Sequence, residues 1–244
     1  MINKQKHYIY PDKASLAASL ACEFEKHITG LLDFQEYVNI ALSGGSTPVQ
    51  FYKSLVISNP QVDWKRVRFF WGDERCVPPH HKESNYGAAH KTLLSPLNIP
   101  SANIFKIRGE NEPGKEALRY SEVIEKEVTA FDGIPSFDWL FLGMGADGHT
   151  LSIFPNQIEL WNREELCVVG THPDSGQKRI SFTGKLVENA KRITFLVTGE
   201  DKSAVVNKVI FKRDNYLDYP ASLVKSEKGL VEWHLDRGAA LLFS

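Results

Sequence analysis

Short apolar runs recur along the chain, and each gives way to a longer stretch whose apolar residues fall three or four apart. This alternation constrains the fold more than any other feature, because continuous apolar runs suit buried strands and a period of about 3.6 suits helices. His7–Tyr10, Tyr37–Leu42, Val67–Gly72, Ile104–Ile107, Phe137–Gly143, Leu166–Gly170, Ile180–Thr183 and Ile193–Thr198 read as strands. Helices are predicted over Lys13–Leu31, Thr47–Ile57, Ser84–Leu94, Gly114–Phe131 and Asp201–Phe211. The first presents Leu16, Ala17, Leu20, Phe24 and Ile28 on one face, and Ser84 is placed to cap the third. In the fourth, Leu118, Val123 and Val128 share one side. Strands separated by helices build βαβ units and a mainly parallel sheet. The run Trp139–Leu142 is apolar throughout, as expected of a strand covered on both faces. Nothing resembles a repeat or a Pro-, Gly- or Ser-rich linker, so residues 1–244 are expected to form one domain.

Charge narrows the partners. The chain carries 29 Lys and Arg against 30 Asp and Glu, a formal net charge of −1. A protein that grips nucleic acid by its phosphates normally shows a basic excess, so no nucleic-acid partner is expected. The near-zero sum hides an asymmetry. Glu110–Asp138 holds eight acidic and three basic residues, whereas Arg179–Arg213 holds eight basic and three acidic. Solvated helix faces explain both segments; alternatively, the basic one faces an anionic ligand. Cys22, Cys76 and Cys167 are odd in number and form no CxxC pattern, which argues against a disulfide framework or zinc site. A reducing cytoplasm is therefore expected. No run approaches the roughly 18 apolar residues of a membrane span, and Met1–Asp12 lacks the apolar core of a signal peptide.

Three strand ends carry chemistry. Ser43-Gly44-Gly45-Ser46-Thr47-Pro48 lies between a strand and a helix. Its glycines permit a tight turn, Ser46 or Thr47 can cap the helix, and free N–H groups at the helix start attract phosphate. An ordinary well-capped turn would show the same composition. Trp71-Gly72-Asp73-Glu74-Arg75 follows another strand. Asp73 can act as a base or hydroxyl acceptor there and Arg75 can clamp phosphate, or the two can pair in a solvated turn. Leu142-Gly143-Met144-Gly145-Ala146-Asp147-Gly148-His149-Thr150 ends the most apolar strand. Histidine titrates near neutrality, and Asp147 is placed to orient the His149 ring. Arg179 at a strand mouth and Lys202 at a helix start can complete an anion site. His80, His81, His90, His172 and His234 lack such context and read as structural. No GxSxG elbow or HExxH motif is present.

SGGSTP at 43–48, WGDERCVP at 71–78, SNYGAA at 84–89 and LGMGADGHTLSIFP at 142–155 together resemble the 6-phosphogluconolactonase family. The resemblance extends over nearly the whole chain. It implies a doubly wound, Rossmann-like α/β sheet with helices on both faces, related to glucosamine-6-phosphate deaminase. It also implies hydrolysis of 6-phospho-D-glucono-1,5-lactone, the second step of the oxidative pentose phosphate pathway, with no cofactor and no metal. By resemblance His149 is the general base, and Asp147 and Asp73 orient His149, water or sugar hydroxyls. Ser43, Gly44, Gly45, Ser46 and Thr47, with Arg75, Arg179 and Lys202, bind substrate and its phosphate. Asn85 reads as a loop-stabilising residue. The expected partner is a small sugar-phosphate lactone, with no membrane, and the protein a monomer or small homo-oligomer. Two alternatives stand beside this reading. A deaminase-like isomerase resembles the chain around Asp147-Gly148-His149, but carries a glutamate where this chain has Phe154, which cannot ionise. A non-catalytic sugar-phosphate sensor would need the cations but not Asp147 and His149.

Overall fold

The computed structural model describes residues 5–243. Its centre is a six-stranded, wholly parallel sheet. The strands are β1 (Gln5–Tyr10), β2 (Val38–Leu42), β3 (Val67–Trp71), β7 (Trp139–Leu142), β10 (Arg192–Val197) and β11 (Leu230–Asp236), in the order β1-β11-β10-β7-β2-β3. The chain steps outward from β2 to β3, then resumes on the other side with β7, β10 and β11. The direction of winding therefore reverses between β2 and β7, and clefts for ligands open at the carboxyl ends of strands at such a point.

Helix α1 (Lys13–Leu32) and helix α2 (Ser46–Ser58) pack on one face. The face is defined by the pleat of β7: Trp139 and Phe141 project together, and Phe24 of α1 and Phe51 of α2 meet them at 5.6 and 5.2 Å between ring centres. The other face carries helix α4 (Pro113–Glu127) and a three-stranded antiparallel sheet of β4 (Asp73–Arg75), β9 (Lys178–Phe182) and β8 (Cys167–Thr171). There Phe137 packs between Phe70 and Phe182, 5.3 Å from each ring, and Tyr120 of α4 stacks on Phe182. The remaining elements are α3 (Asn85–Ala89), a β5–β6 hairpin (Ala130–Phe131 and Ile134–Pro135), α5 (Gly184–Glu188) and α6 (Ser203–Phe211). Among the described residues no helix is long and apolar enough to cross a membrane.

Several sequence expectations need correction. The strand expected at Ile104–Ile107 is one bridge, Phe69 to Ile104, after which Phe105 stacks flat on Phe70 and the backbone turns away. The fourth helix stops at Glu127, where Val128 turns extended. Its buried face is Glu116, Ala117, Tyr120 and Ile124; Leu118 points outward at 65% exposure. The predicted strands near 166–170 and 180–183 exist, but in the antiparallel sheet, joined by a short hairpin. The helix expected over 84–94 is α3 followed by a π-helical turn, His90–Leu94, and Ser84 does cap it by accepting from Gly87 N–H. Strand β11 was not expected, because Glu232 and His234 interrupt its apolar pattern. Both are buried with partners: Glu232 takes a 2.6 Å hydrogen bond from Arg192 Nε, and His234 Nδ1 lies 3.1 Å from Tyr10 Oη.

Candidate active site

Four loops meet at the carboxyl ends of β2, β3, β7 and β10, around a cleft of about 210 Å³. Ser43, Gly44, Gly45, Ser46 and Thr47 form one wall, Asp73 and Arg75 a second, His149 a third, and Arg179 and Lys202 close it. Asp147 stands behind His149 and touches the cleft through it. Residues that lie more than 150 positions apart in sequence are thus collected by the parallel topology, which places every βα turn at the same end of the sheet.

The phosphate-loop candidate is barer than the sequence predicted. Neither Ser46 nor Thr47 caps α2; Gly45, with φ of 103°, occupies the N-cap position and offers no side chain. The Thr47 hydroxyl instead lies 2.7 Å from that of Thr198, tying the start of α2 to the end of β10. The first N–H groups of α2 are left open beside the cleft, with the positive end of the helix dipole behind them. A Cβ at Gly44 would sit 1.8 Å from Asn85 Oδ1, so a side chain there would displace the Asn85 amide.

The second wall hangs on an antiparallel register. β4 pairs with β9 so that Asp73 faces Ser181, Glu74 faces Ile180 and Arg75 faces Arg179. Like charges directly opposite on neighbouring strands repel. Burial, followed by the charge of Arg75, lowers the pKa of Arg179. Among the described residues neither arginine's buried Nε has a hydrogen-bond partner. The expected alternative of an Asp73–Arg75 pair does not form: Arg75 Nη1 donates to the Glu83 carbonyl at 2.6 Å, and Asp73 Oδ2 accepts from Ser152 Oγ at 2.6 Å. Glu74 points away from the cleft and accepts from Ser84 Oγ and from the N–H groups of Arg75, Asn85 and Tyr86. Burial outweighs these bonds and raises its pKa. Asn85, held by Glu74, donates to the Asp73 carbonyl at 2.9 Å and lines the cleft.

The third wall is a paired histidine. His149 Nδ1 lies 2.6 Å from Asp147 Oδ1, which also accepts from the His149 N–H. Burial opposes ionisation of Asp147, but the hydrogen bonds and charge of His149 prevail and hold its carboxyl below the usual range. With Nδ1 committed to Asp147, Nε2 is the free nitrogen. Gly145 makes the pair possible: a Cβ there would lie 2.2 Å from His149 Nδ1 and 2.4 Å from Asp147 Oδ1. Phe154, 1% exposed, backs the imidazole at 4.7 Å, and the Arg179 guanidinium lies over the Phe154 ring at 5.5 Å.

Of the basic segment 179–213, Arg179 and Lys202 line the cleft. Lys185, Lys191, Arg192 and Lys208 pair with carboxylates elsewhere. Cys76 and Cys167 stay out of the chemistry, since burial pushes the Cys76 thiol up to about 11 and that of Cys167 to about 12. Sequence reasoning missed Ser152 and Glu74 as supports of this site. Both are buried polar residues inside quoted motifs, Glu74 in 71–78 and Ser152 in 142–155, and that position was their one available signal.

Residues 11–233 match the family of glucosamine-6-phosphate isomerases and 6-phosphogluconolactonases. The chain belongs to that family. It is 48% identical over 207 residues to the 6-phosphogluconolactonase of Haemophilus influenzae, covering 84% of this chain and 87% of that protein. It is 46% identical over 205 residues to the 6-phosphogluconolactonase of Treponema pallidum, covering 84% and 83%. The crystal structure of the devB protein superposes with a TM-score of 0.91 at 41% identity, over 98% of this chain and 100% of that one. The mainly parallel α/β sheet is the fold of the 6-phosphogluconolactonase family.

Proposed function

We propose that the chain hydrolyses 6-phospho-D-glucono-1,5-lactone to 6-phospho-D-gluconate. The observation that carries this reading is one cleft holding both a carboxylate-oriented histidine and two arginines in register across neighbouring strands, Arg75 and Arg179. The relatives named as 6-phosphogluconolactonases support the choice of lactone.

In this mechanism the cations and the open N-terminus of α2 hold the 6-phosphate, which fixes the sugar for reaction. Asp147 accepts from His149 Nδ1–H, so Nε2 carries a lone pair. Nε2 takes a proton from water as the water oxygen bonds to C1 of the lactone. The carbonyl electrons move to oxygen, giving a tetrahedral oxyanion that backbone N–H groups of the glycine-rich loops stabilise. Collapse of the oxyanion breaks the bond between C1 and the ring oxygen. The imidazolium returns its proton to that oxygen, and the acid product loses a proton to solvent. Asp73, oriented by Ser152 Oγ, accepts from sugar hydroxyls. The scheme requires neutral His149 at the start, so the rate falls at acid pH.

Generating the lactone with glucose-6-phosphate dehydrogenase and following its disappearance tests the reading. Decay far above the spontaneous rate is expected, without ammonia release from glucosamine 6-phosphate. Ammonia release would instead establish the deaminase. Phosphate-ligand binding with neither activity would establish a sensor.

A further inference from the structure

A helix that follows a strand of a parallel sheet begins at the carboxyl end of that sheet. Helix α1 follows β1, so its first residue, Lys13, starts on the same end of the molecule as the cleft. Lys13 is half-buried, and its Nζ donates to Ser46 Oγ at 3.1 Å. Ser46 is the first residue of α2 and lines the cleft. Lys202, half-buried, lines the same cleft. Burial chiefly lowers its pKa, with a further contribution from the charge of Lys13, against the opposing charges of Asp201, Asp236 and Asp147. Two ammonium groups thus stand at a cleft that opens on a helix N-terminus with no side-chain cap. Their repulsion is relieved when an anion binds in that cleft.

We propose that Lys13 is a positioning residue of the anion site, which selects a phosphate dianion. By occupying a lone pair of Ser46 Oγ, it leaves the Ser46 hydroxyl proton free to donate into the cleft. Its charge adds to that of Lys202 at the start of α2. The inference deepens the proposed function, because it rests on reading the cleft as a sugar-phosphate site.

The test measures binding without turnover. Calorimetric titration of the intact protein with 6-phosphogluconate should show Lys13→Ala binding roughly 3- to 10-fold more weakly than wild type, with Lys13→Arg close to wild type. The slope of log Kd against log salt should be shallower in Lys13→Ala. The Km for the phosphorylated lactone should rise in the same ratio at unchanged kcat, while kcat/Km for unphosphorylated glucono-1,5-lactone stays the same. Unchanged affinity in Lys13→Ala, or an equal loss with both lactones, overturns the proposal, as does a wild-type protein that binds no 6-phosphogluconate. A wild-type protein that binds 6-phosphogluconate in a Lys13-dependent way but hydrolyses no lactone overturns the catalytic reading and leaves this one standing.

Discussion

Two arginines opposite each other across β4 and β9 repel, and the fold keeps them there by backbone pairing rather than by charge. Such an arrangement is stable only if an anion comes between them often enough to matter, or if the cost is small beside the pairing of the sheet. Replacing Arg75 by alanine removes one charged donor from the phosphate. Hydrogen bonds of this kind contribute about 1.5–3 kcal/mol, so Km should rise roughly 10- to 100-fold with little change in kcat. Steady-state kinetics check this, and an unchanged Km would remove Arg75 from the phosphate site. At this scale much of the site was legible in the sequence. Asp147 and His149 are two positions apart in a glycine-rich turn, and local spacing alone suggested their contact. The Ser152–Asp73 bond spans 79 positions and has no local signal. The capping role given to Ser46 or Thr47 failed for a related reason: the hydroxyl of Thr47 found a distant partner in Thr198.

At the level of elements, the walls of the cleft are joined by Glu74. Its carboxylate accepts three backbone N–H groups and the Ser84 hydroxyl, joining β4 to the start of α3. The same carboxylate holds the N–H of Asn85, whose side chain lies against Gly44. Glu74→Gln keeps the shape but turns an amide group toward donors. The expected loss is about 1.5–3 kcal/mol, or roughly 3–12 °C in Tm for a chain of this size. Km should rise as well, because Arg75 and Asn85 are both tethered here. Calorimetry with kinetics measures the two effects, and a variant as stable as wild type would show that α3 is held by other contacts. Strands with continuous apolar sequence, such as β7, were readable. β11 was not, because the partners of Glu232 and of His234 Nδ1, namely Arg192, Tyr8 and Tyr10, are brought alongside only by the assembled sheet. The β4–β9–β8 sheet was unreadable as a separate unit for the same reason, since strand partners are not written in a strand's own pattern.

For the whole molecule, one buried histidine links pH to stability. His234 is fully buried, and desolvation lowers its pKa from 6.5 to about 4. The folded state resists a proton that the unfolded chain accepts. Stability from this group is therefore complete above pH 6.5, and is lost as pH falls toward 4. Linkage gives a loss of about 2 kcal/mol between pH 7.5 and 5. Urea unfolding across that range should show it, with a flatter profile in His234→Gln; equal pH dependence in the two proteins would assign the loss to other groups. The net charge of −1 likewise gains meaning only at this scale. Half of the basic segment, Lys185, Lys191, Arg192 and Lys208, is paired with carboxylates, and the folded sheet gathers Arg75, Arg179 and Lys202 around one small cleft. The account as a whole depends on His149 acting there as a base. The most direct measurement is turnover of the phosphorylated lactone by His149→Ala, corrected for spontaneous hydrolysis, with folding verified by circular dichroism. General base catalysis of this type is worth about 10²–10⁴-fold, so kcat should fall by that factor while 6-phosphogluconate still binds. A folded variant that turns over lactone within about threefold of wild type, far inside that range, would contradict the account.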